Sequence, residues 1–341
     1  MPQTVLIRPL PDITASAWDE MISSYRDETV FHLSGWHACL DRSLPGTVVR
    51  FEIQADGRVC GHWCGFLVTK FGAKVFGAPL PGSATDYMYP LFSNAPPPSE
   101  FLDAVGTWAR ENRIALVELG GEYFSAADLA AKGYTLRDAQ TYRLDLSGGA
   151  DEVWSHLKPA MRNKIRKAEK SGVVVTEDTS PDFPRRFFDM LQAVFNRQGL
   201  TPTYGLKRVE TIVQTLSKTD NLVTLTAWRD EQAVACVLAL VDRHTAYFWG
   251  GASYESAYPL GANDLIHWHA LRLAIERDLT VYDTCGGGDY KTKFGGTFVR
   301  LPAGYVCLNP LFGAIRPAVL AGFRARSVVL GRARRLGRRG S

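Results

Sequence analysis

A ten-residue segment recurs in this chain at the same kind of junction, where a helix hands over to a strand. ARENRIALVE at 109–118 aligns without a gap on AIERDLTVYD at 274–283. Alanine, glutamate, three apolar strand positions and a final acid coincide, and Gly-Gly follows soon after both acids, at 120–121 and 286–287. The same plan precedes each copy. Apolar runs at 48–68 and 222–241 read as hairpins, turning at Ala55-Asp56-Gly57 and at Arg229-Asp230. An extended segment, a helix (in 100–119 and in 263–283) and a strand follow in both. A plan used twice at this length points to internal duplication. Hairpin, strand, helix, strand is a mixed α/β (α+β) layer, neither a barrel nor a strict βαβ alternation.

A length of 341 residues suits two cores better than one. LSGGADE, from Leu146, ends a strand and starts a helix, with Asp151 as candidate N-cap. The expected domains are therefore 1–147 and 148–315, followed by a tail at 316–341. That tail holds eight arginines and no acid, so the net charge of +4 hides a body of 4 − 8 = −4. A mildly acidic body argues against a DNA-binding protein, whose footprint is a basic domain. No apolar run reaches the ~20 residues of a membrane helix, and the first twenty residues lack a signal-peptide pattern. The expected location is the cytoplasm, with the basic tail as a peripheral contact to anionic membrane. Six cysteines are too sparse for a disulfide framework.

CGGGDYKTKFGG at 285–296 resembles a phosphate loop, but it lacks the Gly-Lys-Ser/Thr of that motif and precedes no convincing helix. Lys291 and Lys293 are thus expected on a loop just after the strand ending at Asp283, where open α/β folds meet their ligands. A second cluster is the helix from Pro159, ending at Gly172 as its C′ residue. Arg162, Arg166 and Lys170 share one face of it, and 162–170 carries five basic residues against one acid, a setting for phosphates. Gly261 and Asn263 stand at a helix start, where free N–H groups favour an anion. The loop SATDYMYP offers Asp86 and Tyr87 to a polar substrate. Cys60, His62 and Cys64 share a strand face but lack zinc-site spacing, so no metal is expected.

Together these pieces resemble the Fem-type acyltransferases, a superfamily that includes peptidoglycan-bridge aminoacyltransferases and BioF2-like or CelD-like acetyltransferases tied to bacterial polysaccharides. The resemblance spans roughly residues 4–310. MRNKIRKAEKSGV is similar to the family's signature helix, and the stretch from Ala246 to Gly296 to its ending, with Lys before Phe-Gly. FHLSGWHACL and SATDYMYP resemble its early Ser-x-Trp motif and substrate loop. The resemblance implies two tandem GNAT-like domains, each a mixed sheet flanked by helices. It implies an N-acyltransferase whose donor is an acyl-CoA or an aminoacyl-tRNA and whose acceptor is a small-molecule or cell-envelope amine. It assigns Lys291 to the oxyanion. Arg162, Arg166 and Lys293 go to anionic groups, and Trp36, Asp86, Tyr87, Tyr204 and Trp249 to substrate. Gly261 and Asn263 go to the donor. Asp283 or Asp289 is the candidate general base, and Asp283 reads equally well as a structural strand-end residue. Two other readings stand beside it: a non-catalytic protein binding anionic lipid or RNA, and O-acylation of a polysaccharide hydroxyl.

Overall fold

The computed structural model describes residues 4–314, so the arginine-rich tail lies outside the described residues. Two compact units divide them: 4–139 with 300–314, and 140–299.

The first unit opens with β1 (Val5–Pro9), α1 (Ala15–Ile22) and α2 (Ser34–Ser43). An antiparallel meander follows: β2 (Thr47–Ala55), β3 (Arg58–Lys70) and β4 (Ala73–Ala78), with the two-residue β5 (Leu91–Phe92) on β3. Asp56 and Gly57 join β2 to β3 at φ 49° and 77°, the type I′ geometry that matches strand twist. Next comes α3 (Pro98–Glu111), with proline in its first turn. Its buried Phe101, Leu102, Val105, Trp108 and Ala109 make one apolar stripe. β6 (Ile114–Gly120) runs parallel to β4, and α4 (Ala126–Ala131) starts on the capping box of Ser125 and Asp128. Aromatic rings fill the core: Phe51, Trp63, Phe76 and Trp108 pack at centroid distances of 4.9–5.9 Å. A Cβ on Gly65 would lie 2.1 Å from the Phe76 ring, so only glycine lets that ring cross the strand.

The second unit takes up the chain within β7 (Thr135–Asp145). It continues through α5 (Gly149–His156), α6 (Pro159–Lys170), β8 (Val174–Glu177), α7 (Phe183–Gln198) and α8 (Leu206–Leu216). Gly148 caps α5, and Asp151 sits in its first turn rather than at the cap. The second meander is β9 (Leu222–Arg229), β10 (Gln232–Val241) and β11 (Thr245–Ser253). Then α9 (Ala262–Glu276) leads to β12 (Val281–Asp283), parallel to β11 and flanked on its other edge by Arg143–Asp145 of β7. A 3-10 helix (Asp289–Phe294) precedes β13 (Thr297–Cys307), whose later residues pair with β6 in the first unit. The glycine-rich stretch is therefore a loop followed by a short helix, a correction to the sequence reading.

The two units share their strand order and pairing. In each, an antiparallel meander is followed by a helix and a strand parallel to the meander's last. Glu118 stands opposite Gly77 of β4, and Asp283 opposite Tyr247 of β11. Both acids are buried and each pairs with an arginine of β7: Arg137 at 3.3 Å and Arg143 at 3.0 Å.

The β9–β10 turn places Asp230 and Glu231 at φ 48° and 62°, where a side chain costs energy that glycine escapes. Glu231→Gly is expected to raise stability by roughly 0.5–1 kcal/mol, read from the midpoint of urea unfolding.

Two histidines of the first unit make it acid-sensitive. Burial pushes His32 down to about 4 from 6.5. Burial, then Arg50, holds His37 well below its usual range. Below pH 6.5 the unfolded chain takes up protons that the folded unit refuses. Their contribution is full above pH 6.5 and is lost as pH falls toward 4, at ~1.4 kcal/mol per pH unit for each. Denaturation midpoints at pH 7 and pH 5 should show this loss, and His37→Phe should reduce it.

Candidate functional site

β11 and β12 pair only from Thr245 to Tyr247, and β12 ends at Asp283 while β11 runs on to Ser253. The register of β10 and β11 also slips there: Leu238 faces Gly250, Ala239 faces Phe248, and Trp249 is the extra residue. A bulge beside the carboxyl end of a parallel pair is where open α/β sheets receive ligands. A cleft of about 330 Å³ opens at this point within the second unit. Val194, Val237, Phe248, Ala252 and Ile266 supply apolar lining, and Arg197, Tyr258, Asn263, His267, Tyr290 and Lys293 supply polar groups.

α9 and the 3-10 helix place the central charges. Lys293 Nζ donates to Asp264 Oδ1 at 2.9 Å, and the Asp264 side chain is only 6% exposed. His267, one turn on, lies between Phe248 and Phe294 at 4.6 and 4.8 Å. Burial first, then Lys293 and Lys291, pushes it down to about 3, so it is neutral at pH 7. At the cleft edge Arg197 donates to the Tyr258 hydroxyl at 2.5 Å and lies over that ring. Burial pushes the Cys236 thiol in the lining up to about 12, which removes it as a thiolate nucleophile.

Lys291 is placed otherwise than the sequence led us to expect. It is buried, and its ammonium donates to three successive carbonyls: Thr284 at 2.6 Å, Cys285 at 3.1 Å and Gly286 at 3.0 Å. It is not among the residues lining the cleft, whereas Lys293 is. The expectation of an exposed loop lysine fails because the 3-10 turn winds the chain inward there. Asp283 likewise has its oxygens engaged: Oδ1 accepts from Thr141 Oγ1 at 2.6 Å and from the Cys285 amide at 2.7 Å, and Oδ2 from Arg143 at 3.0 Å. In that geometry it anchors the loop rather than serving as a base. Asp289 is exposed at the start of the 3-10 helix.

Gly261 caps α9 at φ 77°, and a Cβ there would meet the Lys164 carbonyl at 2.5 Å. Its glycine thus answers to the packing of α6 on α9. Asn263 is not the cap; its amide donates to Ser253 Oγ at 2.9 Å, and it lines the cleft. Tyr204 and Trp249 pack on each other at 4.9 Å, outside the cleft lining. In the first unit Trp36 and Tyr87 are core residues, 0% and 2% exposed, which corrects their assignment to substrate. Trp36 donates to Thr85 Oγ1 at 3.1 Å, and Asp86 is half-buried. On α6, Met161, Ile165 and Ala168 form the buried stripe. Arg166 is exposed over the Trp154 ring at 5.3 Å, and Arg162 is half-buried. Gly172, at φ 73°, ends that helix as expected.

Asp264, His267, Tyr290 and Arg197 escaped the sequence reading. The first two did leave a trace, because polar residues three apart on a helix share a face. Arg197 and Tyr290 left none.

No group of residues suited to a metal ion occurs among the described residues, nor does a helix long and apolar enough to cross a membrane. Residues 155–293 match the model of the acetyltransferase (GNAT) domain family. No curated protein matches the chain. Among solved structures, FemX aligns at a TM-score of 0.69 and 14% identity, covering 90% of this chain and 99% of that one. A tandem GNAT protein from the clavulanic acid biosynthesis pathway aligns at 0.53 and 13%, covering 89% and 98%. L-PGS from Bacillus licheniformis aligns at 0.52 and 10%, covering 90% and 97%. Cleft, strand order and family match converge: residues 155–293 are similar to the acetyltransferase (GNAT) domain family, and the chain shares the fold of FemX and of the tandem GNAT protein.

Proposed function

We propose that the second unit is an N-acyltransferase working in the 330 Å³ cleft. It would move an acyl or aminoacyl group from an activated donor to an amine of a cell-envelope or polysaccharide-related acceptor. GNAT domains in general take an acyl-CoA-type donor, and aminoacyl-tRNA is the alternative that the sequence resemblance to Fem-type acyltransferases implies. The observation that carries the reading is the cation Lys293 in the wall of a cleft inside the matched domain. The amine nitrogen attacks the acyl carbon, and the carbonyl oxygen takes negative charge. The C–S or C–O bond to the donor then breaks, and the amine's proton ends on the departing sulfur or oxygen. Lys293 stabilises the oxyanion, with Asp264 holding its position beforehand. Lys291 shapes the loop by gathering three carbonyls on one side. Asp289, exposed beside Tyr290, is the carboxylate open to a proton.

Phosphates of the donor or acceptor fall to α6. Arg162, Lys164, Arg166, Lys167 and Lys170 make no ion pair with another described residue. An anion relieves such crowding. Charge reversal at Arg166 and Lys170 together should raise KM for the phosphate-bearing substrate ~10-fold or more and leave kcat nearly unchanged. A lower kcat at unchanged KM would move α6 out of the binding role. The arginine-rich tail adds a peripheral contact to anionic membrane. Truncation after residue 315 should keep turnover and weaken binding to phosphatidylglycerol vesicles at low salt.

The test of the whole reading is a turnover screen of the full chain. Acetyl-CoA, longer acyl-CoA thioesters and charged tRNA are each offered with amine acceptors, and product is followed by mass spectrometry. Binding of RNA or anionic vesicles with no turnover from any donor would leave the non-catalytic reading in its place.

A further inference from the structure

His267 stands out in the cleft wall. It is 6% exposed, and no described residue makes a hydrogen bond to either ring nitrogen. Its Nδ1 is shut off from solvent, so Nε2 is the nitrogen that can meet a ligand in the cleft. Buried polar atoms are nearly always paired, and an unpaired one calls for an explanation. Packing alone does not supply it, because a phenylalanine or leucine would fill the space between Phe248 and Phe294 without leaving nitrogens unmatched. The ring is also held in place, gripped on two sides at 4.6 and 4.8 Å, so its edge is presented rather than mobile. Ordered dipoles of this kind recognise a partner at little reorganisation cost.

The shape of the cleft says what that partner looks like. A cavity of ~150 Å³ lined by apolar side chains holds benzene, and this cleft is about 330 Å³. Much of its lining is apolar. Charge is already placed at Lys293, which is balanced by Asp264 at 2.9 Å. Nε2 of a neutral imidazole is a donor or an acceptor according to the tautomer, which an uncharged group able to do either matches.

We propose that the cleft takes a substrate segment that is apolar, larger than an acetyl group, and carries one uncharged hydrogen-bonding group, a hydroxyl or an amide, paired with His267. This deepens the acyltransferase reading by naming the chemistry of the buried segment, yet its test needs no turnover. The segment belongs either to the donor or to the acceptor, and the shared chemistry is what His267 reads.

Phenol and benzene serve as probes on the full chain, being nearly equal in size and differing by one hydroxyl. Binding is followed by nuclear magnetic resonance of protein labelled with nitrogen-15 in histidine, which reports the His267 ring itself. The wild type should bind phenol at least tenfold more tightly than benzene, with the His267 nitrogen signals shifting. His267→Leu keeps the volume and removes both nitrogens, so it should fold and lose that preference. His267→Asn, as a second variant, should keep part of it. An equal preference for phenol in His267→Leu overturns the proposal, as does failure of both probes to perturb His267. Pantetheine and hexylamine then separate the sources: competition with phenol by pantetheine alone assigns the segment to the donor, and by hexylamine alone to the acceptor. Absence of competition by either removes the claim that the segment is a substrate of acyl transfer. Loss of turnover in every donor screen, with phenol still read by His267, would sink the acyltransferase reading and leave this site standing.

Discussion

Lys293→Gln is expected to lower kcat by about 100-fold or more while the protein stays folded. Lys293 and Arg197 both line the cleft, and Lys293 is the one held in place by a buried carboxylate, that of Asp264. Simple truncation to alanine would confuse the result. The Asp264 carboxylate is 6% exposed, and breaking a buried pair from one side typically costs ~3–5 kcal/mol. Glutamine keeps a donor facing Asp264 and removes only the charge. Lys293→Arg should recover part of the rate, since a planar guanidinium cannot take the position of an ammonium. Steady-state kinetics with the donor identified by screening, beside circular dichroism of the same samples, checks both halves. Turnover of Lys293→Gln within threefold of wild type would remove Lys293 from the chemistry.

The second large effect is on stability. Lys291→Met should cost about 3 kcal/mol, although a lysine in a glycine-rich stretch reads as a surface residue. Its ammonium serves the carbonyls of Thr284, Cys285 and Gly286, and a hydrogen bond to a charged group contributes ~1.5–3 kcal/mol. The three are coupled, so they do not add in full. Methionine fills the same stem and leaves the Thr284 and Cys285 carbonyls without the ammonium, while that of Gly286 keeps only the Thr284 hydroxyl at 3.2 Å; Cys285 and Gly286 have positive φ (51° and 106°). Activity should fall as well, but through a disordered loop: excess salt or lower temperature that restores the fold should restore much of the rate. A midpoint of urea unfolding within ~0.5 kcal/mol of wild type would show that these bonds are not what holds the loop.

These two lysines also show where sequence reasoning stops. On an extended loop, residues two apart point the same way. A 3-10 helix turns three residues per turn, so Lys291 and Lys293 point some 240° apart, one into the protein and one into the cleft. Whether six residues after a glycine run wind or extend depends on what packs on them. Here Phe294 is buried in the core of the unit, and the Lys293 carbonyl accepts from the Lys158 amide at the start of α6, 135 positions earlier.

Local features were legible because their causes are local. Alternating apolar runs marked the meanders, Asp-Gly marked the first tight turn, proline marked the start of α6, and Gly172 its end. The order of elements, repeated in both halves, carried the mixed α/β fold and the family likeness. What burial does to a side chain was not legible in the same way. Trp36 and Tyr87 have the composition of a binding loop, and their place in an aromatic core depends on Phe31, to which both rings are packed at 5.3 and 5.9 Å. Asp283 looked like a free acid at a strand end until Thr141 and Arg143, more than 130 positions away, closed on it. The cleft itself is made by a strand that stops early, a one-residue bulge at Trp249 and a helix that places Asp264 and His267 beside Lys293. None of these is a property of a short window of sequence. They follow from pairing register and close packing between segments far apart in the chain, and it is there that the tertiary structure alone decides which charges meet a substrate.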